Sequence, residues 1–451
     1  METFEATLVV CAFLAIGAFF LTLVNTDAAI ILLIFSMLLS PEITIAQWLE
    51  RAVVVRFDDL LLGVVFFSWL AKLAINKEIG VFRRTPVNAP MGFFLAACCL
   101  STGWGIINGS LASPASSLLY LLKFTEYFLV FFMVANVIRD RRQLERFLKA
   151  VCLTAAVVSL YCYADLLIHT GSLFTYWRVS APFDYNPDGQ GEPNTLAAYL
   201  TLISAVCAGI ALHSPSRSRR FSYVGLIILM GIPLMETYSR GGYVAVLVMY
   251  LALLVLTRRH KMVLLILLLV GILVAPVGLP QTVYTRIFAT FQHPIATVNV
   301  AGWEIPLAHS PYHRFYAWKF ATELLMEHPF LGHGITGVGL VDSQYPRFLG
   351  ELGLVGFAVF LWMIYSVWKM ARRAYKTLED PLAQGVSLGF LAGLAALLVQ
   401  SLTGNFFIIV RVMEPFWCLA AIVAVLPYVA STPPEPSDPV RPRPFVHPLV
   451  A

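Results

Sequence analysis

Charge is what this 451-residue chain has least of: Asp, Glu, Lys and Arg make up 13% of it, against 59% apolar residues. A soluble domain carries about 25% charged and roughly 45–50% apolar residues, so the composition excludes a water-soluble globular protein, and no nucleic-acid partner is expected. Cysteine is sparse and scattered. All seven (Cys11, Cys98, Cys99, Cys152, Cys162, Cys207 and Cys418) lie inside apolar runs, where they serve as small packing residues rather than as a disulfide framework or a metal site. The HExxH zinc motif is missing from the histidines, so no metal and no cofactor is expected. A basic leader is missing too: Met-Glu-Thr-Phe-Glu precedes the first apolar run, which therefore reads as a retained helix. There is no internal repeat, and no matched pair of Gly/Pro-broken helices of the kind that marks many secondary transporters.

What is there is a series of runs near the ~20 apolar residues that cross a bilayer as a helix. The expected spans are 7–24, 27–41, 54–74, 89–108, 117–137, 147–168, 193–212, 221–238, 241–256, 262–280, 346–370, 384–403 and 412–429. The fold class is thus all-α, a polytopic membrane bundle of 12–13 transmembrane helices forming one domain over residues 1–430. A proline-rich stretch, 431–451, reads as a disordered cytoplasmic tail. The count turns on residues 7–41, which fit a tight hairpin turning at Asn25-Thr26-Asp27.

Alternate loops carry the basic residues, 21 of the 31 when the tail is included, which makes those loops cytoplasmic by the positive-inside rule. Ten cations oppose that bias: Arg51, Arg56, Lys123, Arg178, Arg240, Arg286, Arg314, Lys319, Arg347 and Arg411. Something other than topology should account for several of them.

One interval, 281–345, is too polar for a membrane-spanning helix, and it collects Arg286, His293, His309, His313, Arg314, Lys319, His328, His333 and Asp342. It reads as one large outer loop holding short helices. Four stretches in and around it carry candidate chemistry. In Glu236 to Tyr243, Ser239 suits an N-cap and Gly241 and Gly242 admit a close ligand. A helix N-terminus beside Arg240 suits an anion; a tight turn with a snorkelling arginine explains the same residues equally well. Trp177 to Phe183 leads to Pro193-Asn194, where Pro193 fits a first helical turn and Asn194 either caps it or faces a sugar. Ordinary loop and cap chemistry is favoured there.

From Tyr312 a helical stretch runs to about Glu327, with Arg314 and Trp318 four residues apart on one face. A cation beside an aromatic fits a sugar phosphate. Asp342 to Gly353 then leads back into the membrane, and a carboxylate at Asp342 or Glu351 facing an outer cavity can act as general base toward a sugar hydroxyl. An N-cap role for Asp342 or Ser343 is at least as good a reading. Tyr345 and Arg347, between them, are further candidates for substrate contact. Within the helices, Lys123 and Glu126 are expected to neutralise one another, and Asp58-Asp59 to sit at the positive end of a helix.

Taken in order, these stretches resemble the O-antigen ligase and O-antigen polymerase superfamily of bacterial membrane glycosyltransferases. The resemblance rests on Tyr120-Leu-Leu-Lys123-Phe-Thr-Glu126-Tyr127, on Arg178 through Phe183 leading to Pro193-Asn194-Thr195-Leu196-Ala197, and on Ser239-Arg240-Gly241-Gly242. It continues through Arg314 and Trp318, Pro329-Phe330-Leu331-Gly332-His333-Gly334, and Tyr345 with Glu351 and Gly353, spanning roughly Leu118 to Gly356. It implies a metal-independent enzyme at the periplasmic face of the bacterial inner membrane. Such an enzyme transfers glycan from undecaprenyl diphosphate to an acceptor sugar hydroxyl, lipid-linked or on lipid A-core. Arg178, Arg240 and Arg314, with Arg286, would hold the diphosphate, and a chain-length regulator is a possible partner.

Ligases of the superfamily typically carry His-Asn nine and eight residues before the glutamate matching Glu351; here those positions are Asp342 and Ser343. That departure resembles the polymerases more, with Asp342 as the candidate base. The alternatives are an O-antigen ligase and, from another class, a flippase of lipid-linked oligosaccharide. A flippase should place its charges near the bilayer midplane, whereas these arginines gather at the outer surface. A structural scaffold, with the loop as a docking surface, is a third and weaker reading.

Overall fold

The computed structural model describes residues 15–48, 51–75, 83–174, 177–184, 191–278, 280–292, 296–300, 303–307, 309–339 and 341–431. The expected tail beyond Ser431 and the first part of the first expected span, 7–14, lie outside them. In chain order the helices are α1 (Ala15–Val24), α2 (Thr26–Leu39), α3 (Phe57–Ile75), α4 (Asn88–Ile107), α5 (Pro114–Val137), α6 (Arg141–Thr170), α7 (Pro193–His213) and α8 (Arg217–Glu236). They continue as α9 (Arg240–Leu256), α10 (Lys261–Gly278), α11 (Gln281–Gln292), α12 (His309–Glu327), α13 (Gln344–Thr377), α14 (Pro381–Gln400) and α15 (Val410–Ser431).

Every expected span falls on one of these helices, so the chain is an all-α polytopic membrane bundle. Eight of them (α4, α5, α6, α7, α10, α13, α14 and α15) are long and apolar enough to cross a membrane by length and composition. Of the rest, α1, α2 and α9 are shorter, while α3 and α8 carry charges near their ends. Two short antiparallel hairpins, Glu42–Trp48 with Arg51–Arg56 and Ala296–Val300 with Trp303–Leu307, are additions that the helical periodicity did not announce.

Local chemistry sets the helix ends. Ser113, Asp140, Ser239 and Asp380 each accept a backbone N–H in the first turn of the helix they cap. Asn25 does the same for α2, accepting from Ala28, and there the chain turns back on itself. Lys72 reaches Thr26 (3.0 Å) while Arg56 reaches the Met37 carbonyl, so α2 runs antiparallel to α3, and the Ser68 hydroxyl donates to the Phe19 carbonyl (2.9 Å), which sets α1 beside α3 as well.

The turn at Asn25 lies at the end of the bundle that collects the basic loops. There Arg146 pairs with Asp27 (2.7 Å), Arg141 with Asp380 (2.7 Å), and the Arg258 N–H donates to the Tyr375 hydroxyl (3.1 Å). The loops expected to lie on one side by charge are thus joined to one another across the same end.

At the centre, α7 is buried along almost its whole length. It packs backbone to backbone on α14, where a Cβ on Gly209 would strike the Gly389 amide (2.5 Å) and one on Gly385 would strike the Ile210 Cα (2.7 Å). Small residues let membrane helices approach closely where no hydrophobic force separates helix from lipid. This contact fixes the end of α14 beside the start of α7, and that pairing positions the candidate site.

Candidate active site

The site is built on the turn between α8 and α9. Tyr238 takes a left-handed backbone conformation (φ 48°), uncommon for a bulky residue, and its wholly buried ring anchors the turn by donating to Thr282 Oγ1 (3.1 Å). The next residue, Ser239, caps α9 by accepting from the Gly242 N–H (3.1 Å). Arg240 and Gly241 are thereby held in the first turn of α9, the positive end of its dipole.

Other arginines arrive at the same turn from distant segments. The Arg178 Nε–H donates to the Thr237 carbonyl (3.1 Å), and the adjoining Val179 N–H donates to the Glu236 carbonyl (3.3 Å). From α11, the Arg286 Nε–H donates to the Tyr238 carbonyl (3.4 Å). On the far side, Gly241 lies so close to Thr403, just past the end of α14, that a Cβ there would collide with its hydroxyl. The Thr403 carbonyl accepts from Arg314 Nη2 of α12 (3.2 Å). Arg178, Arg240, Arg286 and Arg314 therefore stand around one turn, although 136 positions separate the first from the last in the sequence.

The segment leading into α13 lines the same place. Gln344 N–H donates to the Ser401 carbonyl (3.1 Å), Ser343 Oγ to the Leu402 carbonyl (3.1 Å) and the Tyr345 hydroxyl to the Leu398 carbonyl (2.5 Å). Asp342 thus lies beside 401–403 and within electrostatic reach of Arg314. Neighbouring protein raises the Asp342 carboxyl above the usual carboxylate range, and the Arg314 charge pulls it part of the way back. Burial in turn lowers the Arg314 guanidinium, and Asp342 opposes that shift. The Asp342 side chain is nevertheless exposed, beside this protein wall rather than enclosed by it. Asn194, exposed in the first turn of α7, accepts through its carbonyl from Gln400 Nε2 (3.3 Å) and so joins the same wall.

An arginine nitrogen here is left over. Arg314 Nε is buried with no hydrogen-bond partner, an arrangement that costs about 1–3 kcal/mol or more for a charged group unless a ligand completes it. The geometry therefore offers several guanidinium groups and a helix N-terminus to an anion, with a carboxylate alongside.

The remaining expected contacts lie elsewhere. Trp318 is exposed on α12. Arg347 and Glu351, expected to meet substrate, are interior and spent on one another, with Nε to Oε1 at 2.9 Å; Glu351 Oε1 also accepts from the Thr336 N–H (2.9 Å) and Arg347 sits over the Tyr120 ring. The pair braces α13 rather than facing an outer cavity. Lys123 and Glu126 do pair (3.2 Å), but Asp59 joins them, so the two-residue neutralisation expected from spacing is incomplete. Asp58 is likewise more than a residue at a helix N-terminus: it is fully buried and bridges to Arg56 (2.6 Å).

The ten cations that opposed the charge rule now sort by position. Arg178, Arg240, Arg286 and Arg314 surround the turn. Arg56, Lys123, Arg347 and Arg411 hold interior contacts, Lys319 pairs loosely with Glu323 on the surface (3.9 Å), and the Arg51 side chain lies outside the described residues. Thr403 and Gln400 went unread in the sequence, and Arg411 was noted there only as a cation against the charge rule. Nothing in the spacing of Ser401-Leu402-Thr403-Gly404-Asn405 ties it to Arg314, 89 positions away.

No curated protein matches the chain. Residues 225–361, which hold the α8–α9 turn, Arg240, Arg286, Arg314 and Asp342, match the family model described as O-antigen ligase, so this segment of the chain is similar to that family.

Proposed function

We propose that the protein is a membrane glycosyltransferase that moves a glycan from undecaprenyl diphosphate to an acceptor sugar hydroxyl, polymerising surface-polysaccharide repeat units at the periplasmic face of the inner membrane. The observation that carries this reading is the gathering of four arginines around the Ser239-Arg240-Gly241 turn with Asp342 alongside. The end of the bundle opposite the basic loops, where that turn lies, is the periplasmic end by the positive-inside rule.

In this reaction the acceptor oxygen attacks the anomeric carbon as the bond from that carbon to the diphosphate oxygen breaks. The acceptor proton passes to the Asp342 carboxylate. The leaving diphosphate takes the electron pair, and its growing charge is met by Arg178, Arg240, Arg286 and Arg314 with the α9 N-terminus. Preorganised charge of this kind, aimed where charge develops, is commonly the largest contribution to catalysis. Asp342, in place of the histidine usual in ligases, favours polymerisation over transfer to lipid A-core.

Turnover of an undecaprenyl-diphosphate-linked oligosaccharide by purified protein, beside Arg240→Ala, tests the reading. A ladder of lengthened lipid-linked glycans, reduced about 10²-fold or more in the variant, is the expected result. A single transfer onto lipid A-core would make the protein a ligase, and no transfer to either acceptor would overturn the enzyme reading.

A further inference from the structure

Trp177, one residue before Arg178, has no part in the diphosphate site as described. Its indole N–H donates to Asp165 Oδ2 (2.9 Å), near the end of α6. The same aspartate holds His169: its Nδ1 lies 3.2 Å from Asp165 Oδ1 and 3.0 Å from the Asp165 carbonyl. One carboxylate thus clamps two rings, and they stack with centroids 4.6 Å apart and planes within 8°. Trp177 nevertheless remains 40% exposed. A tryptophan that merely marks the membrane interface turns its polar edge to water, whereas this one spends that edge on Asp165 and one face on an imidazole. What it presents outward is the other aromatic face.

That face is tied to the site. The Phe174 N–H donates to Glu236 Oε1 (2.9 Å) and the Val179 N–H to the Glu236 carbonyl (3.3 Å), so Phe174 and Val179, on either side of Trp177 in the sequence, are each pinned to the α8 end that opens the arginine turn. An aromatic face is the negative part of the ring quadrupole, and it attracts the slightly positive C–H faces of a pyranose. We propose that Trp177, clamped by Asp165 and backed by His169, is a carbohydrate-stacking platform that holds a sugar of the lipid-linked glycan next to its diphosphate. The proposal rests on the glycosyltransferase reading and adds a specificity-determining residue to it.

The test uses the full chain in detergent with two probes. One is the undecaprenyl-diphosphate-linked oligosaccharide, for transfer kinetics. The other is the soluble oligosaccharide released from that lipid by mild acid, for saturation-transfer NMR. Trp177→Ala is expected to raise the KM for the lipid-linked donor about 3- to 10-fold at unchanged kcat and to erase saturation transfer to the sugar C–H protons. Trp177→Phe, which keeps a ring, restores both. A wild-type KM together with unchanged saturation transfer in Trp177→Ala overturns the platform. Should the wild type transfer nothing, the glycosyltransferase reading falls while saturation transfer still decides: sugar signals lost in Trp177→Ala uphold the platform, and signals retained overturn it.

Discussion

Asp342 and Arg314 interact electrostatically, and the sign of that coupling is measurable. A general base works only when deprotonated, and crowding raises Asp342 above the usual carboxylate range. The acid limb of kcat/KM should therefore lie at higher pH than an ordinary carboxylate gives, with activity lost as pH falls through it. Asp342→Asn should remove that limb and slow transfer about 10²–10⁴-fold. Arg314 lowers the Asp342 pKa, so in Arg314→Gln the limb of the residual activity should move to higher pH; a limb that stays in place would show that the two do not interact. Gly241 gives a steric test beside this electrostatic one. Gly241→Ala would drive its methyl into Thr403 Oγ1 and disturb the carbonyl that receives Arg314, so transfer should fall. Thr403→Ala in the same protein removes the obstructing hydroxyl and should recover much of the loss, a non-additive pair in a double-mutant cycle.

Among the elements, α13 shows why a membrane helix can be broken at depth. Gly353 adopts φ 64° and ψ −169°, open in practice to glycine alone, and the helix separates there. Backbone groups freed inside a membrane must find protein partners, and the segment after α12 supplies them. His333 and Gly334 N–H donate to the Gly350 and Glu351 carbonyls (3.0 and 2.9 Å), while the Leu354 and Val355 N–H donate to the Pro329 and Phe330 carbonyls (2.8 and 3.2 Å). The Pro329–Gly334 motif, which the sequence offered only as part of the family resemblance, is therefore a structural splint for the break. Gly353→Ala would add both the forbidden conformation and a Cβ 2.5 Å from the Phe330 carbonyl carbon. Thermal unfolding in detergent should show a loss of more than about 2 kcal/mol, and the Arg347–Glu351 brace on the same helix should not rescue it.

For the molecule as a whole, one arginine ties the outer loop to the bundle. Arg411 Nη1 donates to the Leu38 carbonyl (3.1 Å) and the Pro182 carbonyl (2.8 Å), and Nη2 to the Phe183 carbonyl (2.9 Å). It thereby connects α2, α15 and the loop that carries Trp177 and Arg178. Arg411→Met keeps the bulk and removes every donor, leaving buried carbonyls that cost about 1–3 kcal/mol each when unpaired. Faster trypsin cleavage after Arg178, with a lowered unfolding temperature, is the expected result; an unchanged digestion pattern would mean that the loop is held by other contacts.

The sequence by itself determined the fold class and the position of the membrane-spanning helices, and it set Arg178, Arg240, Arg286 and Arg314 away from the basic loops. Those follow from local and additive properties: apolar run length, the turn residue Asn25 and the cap Ser239, and the distribution of Lys and Arg among the loops. It also made Arg178, Arg240, Arg286 and Arg314 suspect, because they sat where topology gave no reason for a cation. Only the tertiary structure shows which of the ten such cations stand together. Arg347 and Glu351 looked like site residues at their spacing and turned out to brace a helix, while Thr403 looked like the end of a span and turned out to join Gly241 to Arg314. Spacing along a chain constrains neighbours within a turn or two of helix; contacts between segments 89 positions apart depend on how α7 and α14 pack, and that is decided by glycine surfaces fitting together in three dimensions.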